Sequence, residues 1–173
     1  MISRDVLIVL KRGLGPIVDD DARVLILGTL PGDESLRRGE YYGHPRNHFW
    51  PLLATVFEEE ITATYSERLS FLARNRLAVW DVLYSAERAG SLDSAIKRGR
   101  SNNFAALFRD YPNLRTIAFN GQKAHALYRS HVSKLRNVPH DKISLIVLPS
   151  TSPTHVRPLD EKVAAWKGAL RSR

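Results

Sequence analysis

The chain has 173 residues, 43% of them hydrophobic and 25% charged, a balance that suits one globular domain with a substantial core. It contains no cysteine, which excludes disulfides, thiolate metal sites, iron–sulfur clusters and cysteine nucleophiles, and no apolar run nears the ~20 residues of a membrane span. Lys and Arg number 26 against 18 Asp and Glu, and the net charge of +8 favours a polyanionic partner, nucleic acid before an anionic membrane surface.

In chain order, about Asp5–Arg12 reads as a helix or irregular segment, and its flanks lack the pattern of a signal peptide. Val24–Leu27 is a short apolar run bounded by turn residues, the pattern of a strand covered on both faces. It breaks into Gly28-Thr29-Leu30-Pro31-Gly32 and then into a loop dense in Tyr41, Tyr42, His44, Arg46, Asn47 and His48. A plain connection has no need of such side chains, and the stretch Val24–Trp50 is taken as the functional centre. Phe49, Leu52, Leu53 and Val56 have helical spacing over Phe49–Glu58. Ser66 suits the N-cap of a helix over Glu67–Arg74 that turns Leu69 and Leu72 inward.

A second apolar run, Leu77–Trp80, closes on Asp81. Glu87–Arg100, with four cations and a Gly-Ser-Leu-Asp-Ser turn signal, reads as a surface loop or short helix. Asn102 or Asn103 suits the cap of a helix through Phe104–Arg109. The third run, Thr116–Phe119, stops at Asn120-Gly121 before a helical pattern over Gln122–Arg129. The fourth, Ile143–Leu148, stops at Pro149–His155. A last helix from about Asp160 to Leu170 turns Val163, Trp166 and Leu170 inward and Lys162, Lys167 and Arg171 outward.

Strands alternating with helices predict a single-domain, three-layer α/β/α fold around a central, mainly parallel four-stranded sheet. Every apolar run ends in a compact polar or turn motif. In such sheets the ligand crevice lies outside the carboxyl ends of the strands, so the four motifs should meet on one rim.

There is no Gly-x-Ser-x-Gly elbow, no phosphate loop ending in Gly-Lys-Ser/Thr and no His-Glu-x-x-His. No metal or cofactor is expected. What remains is aromatics that can stack a base, amides and a carboxylate that can read its edge, and hydroxyls that can hold phosphates.

These motifs resemble those of the uracil-DNA glycosylase superfamily. Gly28-Thr29-Leu30-Pro31-Gly32 is similar to its first motif, Pro149-Ser150-Thr151-Ser152-Pro153 to its second, and Ala118-Phe119-Asn120-Gly121 to an intermediate strand end. Ser35-Leu36, Tyr41-Tyr42, His44-Pro45-Arg46-Asn47-His48-Phe49-Trp50, Trp80-Asp81-Val82-Leu83 and Gly90-Ser91-Leu92-Asp93-Ser94 look closest to the hypoxanthine-DNA (deoxyinosine) glycosylase branch. Two positions depart from better-known branches. Leu30 stands where those enzymes keep a catalytic Asn or a water-activating Asp, and Leu148 stands where a His opens the second motif.

The resemblance implies a monofunctional enzyme that flips a deaminated base out of damaged DNA, double- or single-stranded, and hydrolyses its glycosidic bond to leave an abasic site. It points to Asn47 as the group that positions water, although Asn47 also suits the cap of the Phe49 helix. It implies a base pocket of Thr29 and Leu30 as backbone wall, Tyr42 as stacking wall, and Asp81 and Asn120 as edge readers. Asp81 is alternatively a structural cap or an Arg partner, and Asn120 alternatively a turn residue. Ser150, Thr151, Ser152, Pro153 and Thr154, with Lys123, His155 and Arg157, are the expected phosphate and minor-groove contacts. A cytoplasmic monomer is expected. A glycosylase for uracil or another base, or a non-catalytic nucleic-acid-binding module, are the alternatives.

Overall fold

In the computed structural model, which describes residues 9–62 and 64–171, four short apolar runs become the strands of one parallel sheet. They are β2 (Val24–Gly28), β3 (Leu77–Asp81), β6 (Thr116–Asn120) and β7 (Ser144–Leu148), in the order β3-β2-β6-β7. Every residue of β2, β3 and β6 is buried, which is why these strands read as unbroken apolar runs and not as alternating ones. The register is level at the carboxyl ends: Gly28 lies opposite Asp81, and Asn120 opposite Leu148.

Helices cover both faces, and a short α1 (Asp33–Arg38) follows the turn after β2. Leu27 is opposite both Trp80 and Phe119, so the three share a face. On that face Trp80 meets Phe104 of α4 (Phe104–Asp110) and Phe119 meets Tyr128 of α5 (Gln122–His131), with ring centroids 5.3 and 5.2 Å apart. A second aromatic cluster joins the remaining long helices. Phe49 of α2 (Phe49–Phe57) stands edge-on to Trp166 of α6 (Leu159–Leu170), and Phe57 packs on Phe71 of α3 (Tyr65–Arg74). Phe49, Leu52, Leu53 and Val56 are fully buried, as their spacing requires, and Pro51 occupies the first turn, where no backbone N–H is needed. The three layers and the parallel sheet are those expected.

A second sheet was not expected. Strands β1 (Val9–Arg12), β4 (Leu83–Arg88) and β5 (Lys97–Ser101) pair antiparallel in the order β1-β4-β5. The helix or irregular segment expected at about Asp5–Arg12 is therefore a strand from Val9, and residues 5–8 lie outside the described residues. The loop or short helix expected over Glu87–Arg100 is a hairpin whose connection holds a short 3-10 turn, Asp93–Ala95. Its second strand, Lys-Arg-Gly-Arg-Ser, has no apolar residue and is held by its backbone ladder, so hydrophobic periodicity has nothing to detect.

Two local expectations also change, and one alternative is decided. Helix α3 starts after Thr64, placing Ser66 in its first turn, and Leu69 is half-buried where Phe71 and Leu72 are fully buried. Asn103, not Asn102, caps α4 by accepting from the Ala106 N–H, while Asn102 donates to the Asp81 carbonyl at 2.8 Å. Lys162 is fully buried, not outward, because its ammonium finds the His155 carbonyl at 3.0 Å.

Candidate active site

The level strand ends open into a cleft of about 720 Å³, lined by all four motifs. At its floor, Gly28 and Asp81 sit opposite each other on adjacent strands. A Cβ at Gly28 would collide with Asp81 Oδ1 and come within 3.2 Å of the Tyr42 hydroxyl, so glycine is required by close approach. Asp81 is 4% exposed, and neither its Oδ2 nor the Tyr42 hydroxyl has a hydrogen-bond partner among the described residues. Buried polar atoms are costly when unpaired, so two of them beside one cleft mark a place where a ligand's polar edge belongs. Burial pushes the Asp81 carboxyl up to about 8; the Asp93 carboxylate adds to the shift and the Arg88 guanidinium opposes it. At neutral pH Asp81 is therefore mostly a neutral acid, with one O–H to donate and one carbonyl to accept. Burial also raises the Tyr42 phenol.

The first turn is fixed by its backbone. The Gly28 and Thr29 carbonyls accept from Val82 N–H and Leu83 N–H, each at 3.0 Å. Arg88, 1% exposed, donates one guanidinium nitrogen to the Leu30 carbonyl at 3.1 Å and another to the Pro31 carbonyl. The Thr29 hydroxyl donates to Asp93 at 2.7 Å, and the Asp33 N–H donates to the Ser91 hydroxyl at 2.9 Å. The antiparallel hairpin thus staples the turn in place. Asp93 is solvent-exposed as a residue but turns its carboxylate toward Thr29. Arg88, Ser91 and Asp93 escape a reading of sequence periodicity. The available signals were an arginine at the end of the Val82–Ala86 run and the Gly90–Ser94 segment carried by the resemblance.

The aromatic loop supplies side chains. Tyr42 takes a left-handed φ of 53° and stacks on Phe49, with centroids 3.7 Å apart and planes 16° from parallel. Phe49 and Trp50 belong to the core, and Tyr41 is pinned there by the Trp50 indole N–H, which donates to the Tyr41 carbonyl. Asn47 is half-buried on the cleft wall. Its Oδ1 accepts from the Phe49 N–H at 3.0 Å, an Asx-turn contact that fixes the amide plane just before the helix; the N-cap position itself is His48. One Oδ1 lone pair is left over, and Nδ2 makes no hydrogen bond among the described residues.

The second motif is latched from beneath. Thr151 is fully buried; its N–H donates to Asn120 Oδ1 at 2.8 Å, its hydroxyl accepts from Asn120 Nδ2 at 2.9 Å, and its carbonyl accepts from the His48 N–H at 3.1 Å. In this arrangement Asn120 and Thr151 anchor the loop, and Asn120 keeps only one amide hydrogen for a base. Gly121 has a φ of 100°, and a Cβ there would press on Ser150 at 3.0 Å. From α6, Lys162 and Trp166 donate to the His155 and Pro149 carbonyls, clamping both ends of the loop. Ser150, Ser152, Pro153, Thr154, His155, Arg157 and, across the cleft, Lys123 complete the rim. Burial, then the charges of Lys162 and Arg157, lowers the His155 imidazole from its ordinary range.

All fourteen residues expected of the site thus line one cleft. The arrangement can stack a flat heterocycle on Tyr42, meet its polar edge at Asp81, and hold a water at Asn47. Among the described residues no group of three or more His, Asp or Glu side chains is placed to hold a metal ion.

Residues 16–171 match the family model of the uracil DNA glycosylase superfamily. The chain is 36% identical over 162 residues to a hypoxanthine DNA glycosylase of Methanosarcina barkeri, covering 93% of this chain and 98% of that one. It is 36% identical over 163 residues to a protein of the same name from Methanosarcina acetivorans, covering 94% and 99%. The solution NMR structure of a Methanosarcina acetivorans protein described as a candidate uracil DNA glycosylase superposes with a TM-score of 0.78 at 35% identity, covering 95% and 98%.

Proposed function

The chain belongs to the uracil DNA glycosylase superfamily and is a DNA glycosylase, and we propose that the base it excises is hypoxanthine. The observation that carries this choice is the 36% identity, over nearly the full length of both chains, to proteins named for that base. The floor of the cleft supports it. Hypoxanthine presents a carbonyl beside a ring N–H, and a neutral Asp81 carboxyl can donate to the first and accept from the second. Tyr42, already stacked on Phe49, offers a ring for the flipped base.

Water adds to C1′ of the deoxyribose while the C1′–N9 bond breaks and its electron pair leaves with the base. The proton lost by the water ends in solvent and the base regains one. Asn47 Oδ1, held by the Phe49 N–H, accepts from the water with its remaining lone pair and orients it. The hydrogen bond that Asp81 donates to the base carbonyl strengthens as negative charge grows on the departing base. No step needs an amine nucleophile, so the abasic strand is left uncut. The Asx-turn bond at Asn47 and a role in orienting water are compatible.

Ser150, Ser152, Thr154, Lys123, His155 and Arg157 are proposed to meet the flanking phosphates, with Pro153 entering the minor groove. We read the 173 residues as one domain acting as a monomer on DNA in the cytoplasm. No helix of the described residues is long and apolar enough to cross a membrane.

Uracil offers the same carbonyl beside a ring N–H, and one structural relative is described by that activity. The test is therefore a set of duplexes bearing hypoxanthine, uracil, xanthine or no lesion, incubated with the protein and treated with alkali. Faster strand scission at hypoxanthine than at uracil is expected. A faster uracil reaction overturns the base assignment, and no scission on any lesion overturns the catalytic reading.

A further inference from the structure

The antiparallel sheet reaches the cleft through the connection of its hairpin. Its hairpin leaves the floor after Asp81, puts Ser91, Leu92 and Asp93 on the lip, and returns to Asn102, which donates to the Asp81 carbonyl. The register across its strands is irregular. Ser85 lies opposite Arg100 and Glu87 opposite Lys97, so β5 has Arg98 and Gly99 between these pairs where β4 has only Ala86. That extra residue is a β-bulge, and Arg98 takes the left-handed φ of 49° within it. A strand without the bulge would send Lys97 and Arg100 to opposite faces. With it, both share the face of Ser85 and Glu87.

The same face receives β1. Arg12 lies opposite Ser85, and Leu10 opposite Glu87. Arg12, Ser85 and Arg100 therefore form one row across three strands, about 10 Å wide at the usual strand spacing. Gly99 faces the other way, where a Cβ would meet the buried Leu83 side chain. Arg12, Lys97 and Arg100 are exposed and make no ion pair among the described residues; Glu87 is engaged by Arg98 at 3.0 Å. A lone charge on an edge strand needs no explanation beyond protection from strand pairing. Three unpaired cations brought to one face by a bulge repel one another, and a polyanion offsets that cost.

We propose that this face, with Arg12, Lys97 and Arg100 at its centre, is a second DNA-binding surface that holds the phosphate backbone of the duplex beyond the lesion. It rests on the glycosylase reading for the identity of the polyanion, but not for its mechanism. The surface adds sequence-independent affinity and leaves the chemistry at Asn47 unchanged.

The test measures binding to an undamaged 30-base-pair duplex as a function of salt. In R12Q/K97Q/R100Q the slope of log affinity against log salt should become shallower by about 2 to 3, close to 0.9 for each phosphate contact removed. The single-turnover excision rate at saturating damaged duplex should stay within about twofold of wild type. A control of equal charge, K134Q/R136Q/K142Q, alters exposed cations near the amino end of β7, away from the strand ends that carry the cleft, and should keep the wild-type slope. The charge-preserving variant R12K/R100K, with Lys97 intact, should also keep it. An unchanged slope in the triple variant, or an equal loss in the control, overturns the proposal. Because undamaged DNA is the probe, that result is independent of whether any base is excised.

Discussion

Every residue of β2, β3 and β6 is buried, whereas no residue of β1 or β5 is. The parallel sheet is held by side chains packed on both faces, and its level carboxyl ends bring the motifs into one cleft. The outer strands of the antiparallel sheet are held by its ladder, yet its hairpin delivers Arg88 beneath the first turn and Asp93 to Thr29. The difference separates two jobs: one sheet places the site, and the other fixes and charges its border. Mutations in the two should therefore fail differently.

The sharpest contrast is in stability. Phe119→Ala removes a fully buried ring that packs on Tyr128 and should cost ~3–5 kcal/mol. Leu10→Ala on the exposed sheet, at 59% exposure, should stay within ~0.5 kcal/mol. Urea denaturation of both variants measures this, and comparable losses would break the division. Asn47→Ala should next lower the single-turnover excision rate by about 10² to 10³-fold, the range for a group that acts on the transition state. Its melting temperature should fall only by the loss of one Asx-turn hydrogen bond. Full activity in this variant would remove Asn47 from the mechanism without touching the family assignment.

Arg88→Met tests the bridge between the sheets. It leaves the Leu30 and Pro31 carbonyls without their guanidinium donor, at a cost of ~1–3 kcal/mol, while the aliphatic volume is largely kept. If the hairpin only borders the turn, KM for damaged duplex will not change. If it fixes the turn, KM should rise more than kcat falls.

This bridge also marks where the sequence stops being readable. Apolar runs between turn residues disclose Val24–Gly28 and its neighbours because burial on both faces leaves a compositional trace. The strand Lys97–Ser101 leaves none, since its bulge breaks the alternation and its cations face water. That Asn47, Tyr42 and Asp81 line the cleft is legible through residue type and resemblance to a family. The inward turn of Lys162 was not, because a lysine among helical polar positions looks solvated until the His155 carbonyl appears beside it. Likewise Asn120 and Thr151 have the right chemistry for DNA, but only coordinates reveal that they are spent on each other.

The last contrast comes from proton binding at Asp81. Its carboxyl holds a proton up to about 8 in the folded protein, against an ordinary value of 3.8. Between those limits the folded state binds more protons than the unfolded state, so this group makes stability fall as pH rises through that window, with little further change above it. Asp81→Asn removes the titration, and urea midpoints at pH 5 and pH 8 should lie closer together in the variant than in wild type. Excision has a matching signature. If the neutral acid reads the base, wild-type kcat/KM loses about tenfold per unit once the pH is well above about 8, while Asp81→Asn, with an amide in place of the acid, is flatter there. Parallel profiles for the two proteins would show that Asp81 is a buried structural residue of the parallel sheet, and the division between the sheets would then place no base recognition at the strand end where Gly28 makes room for it.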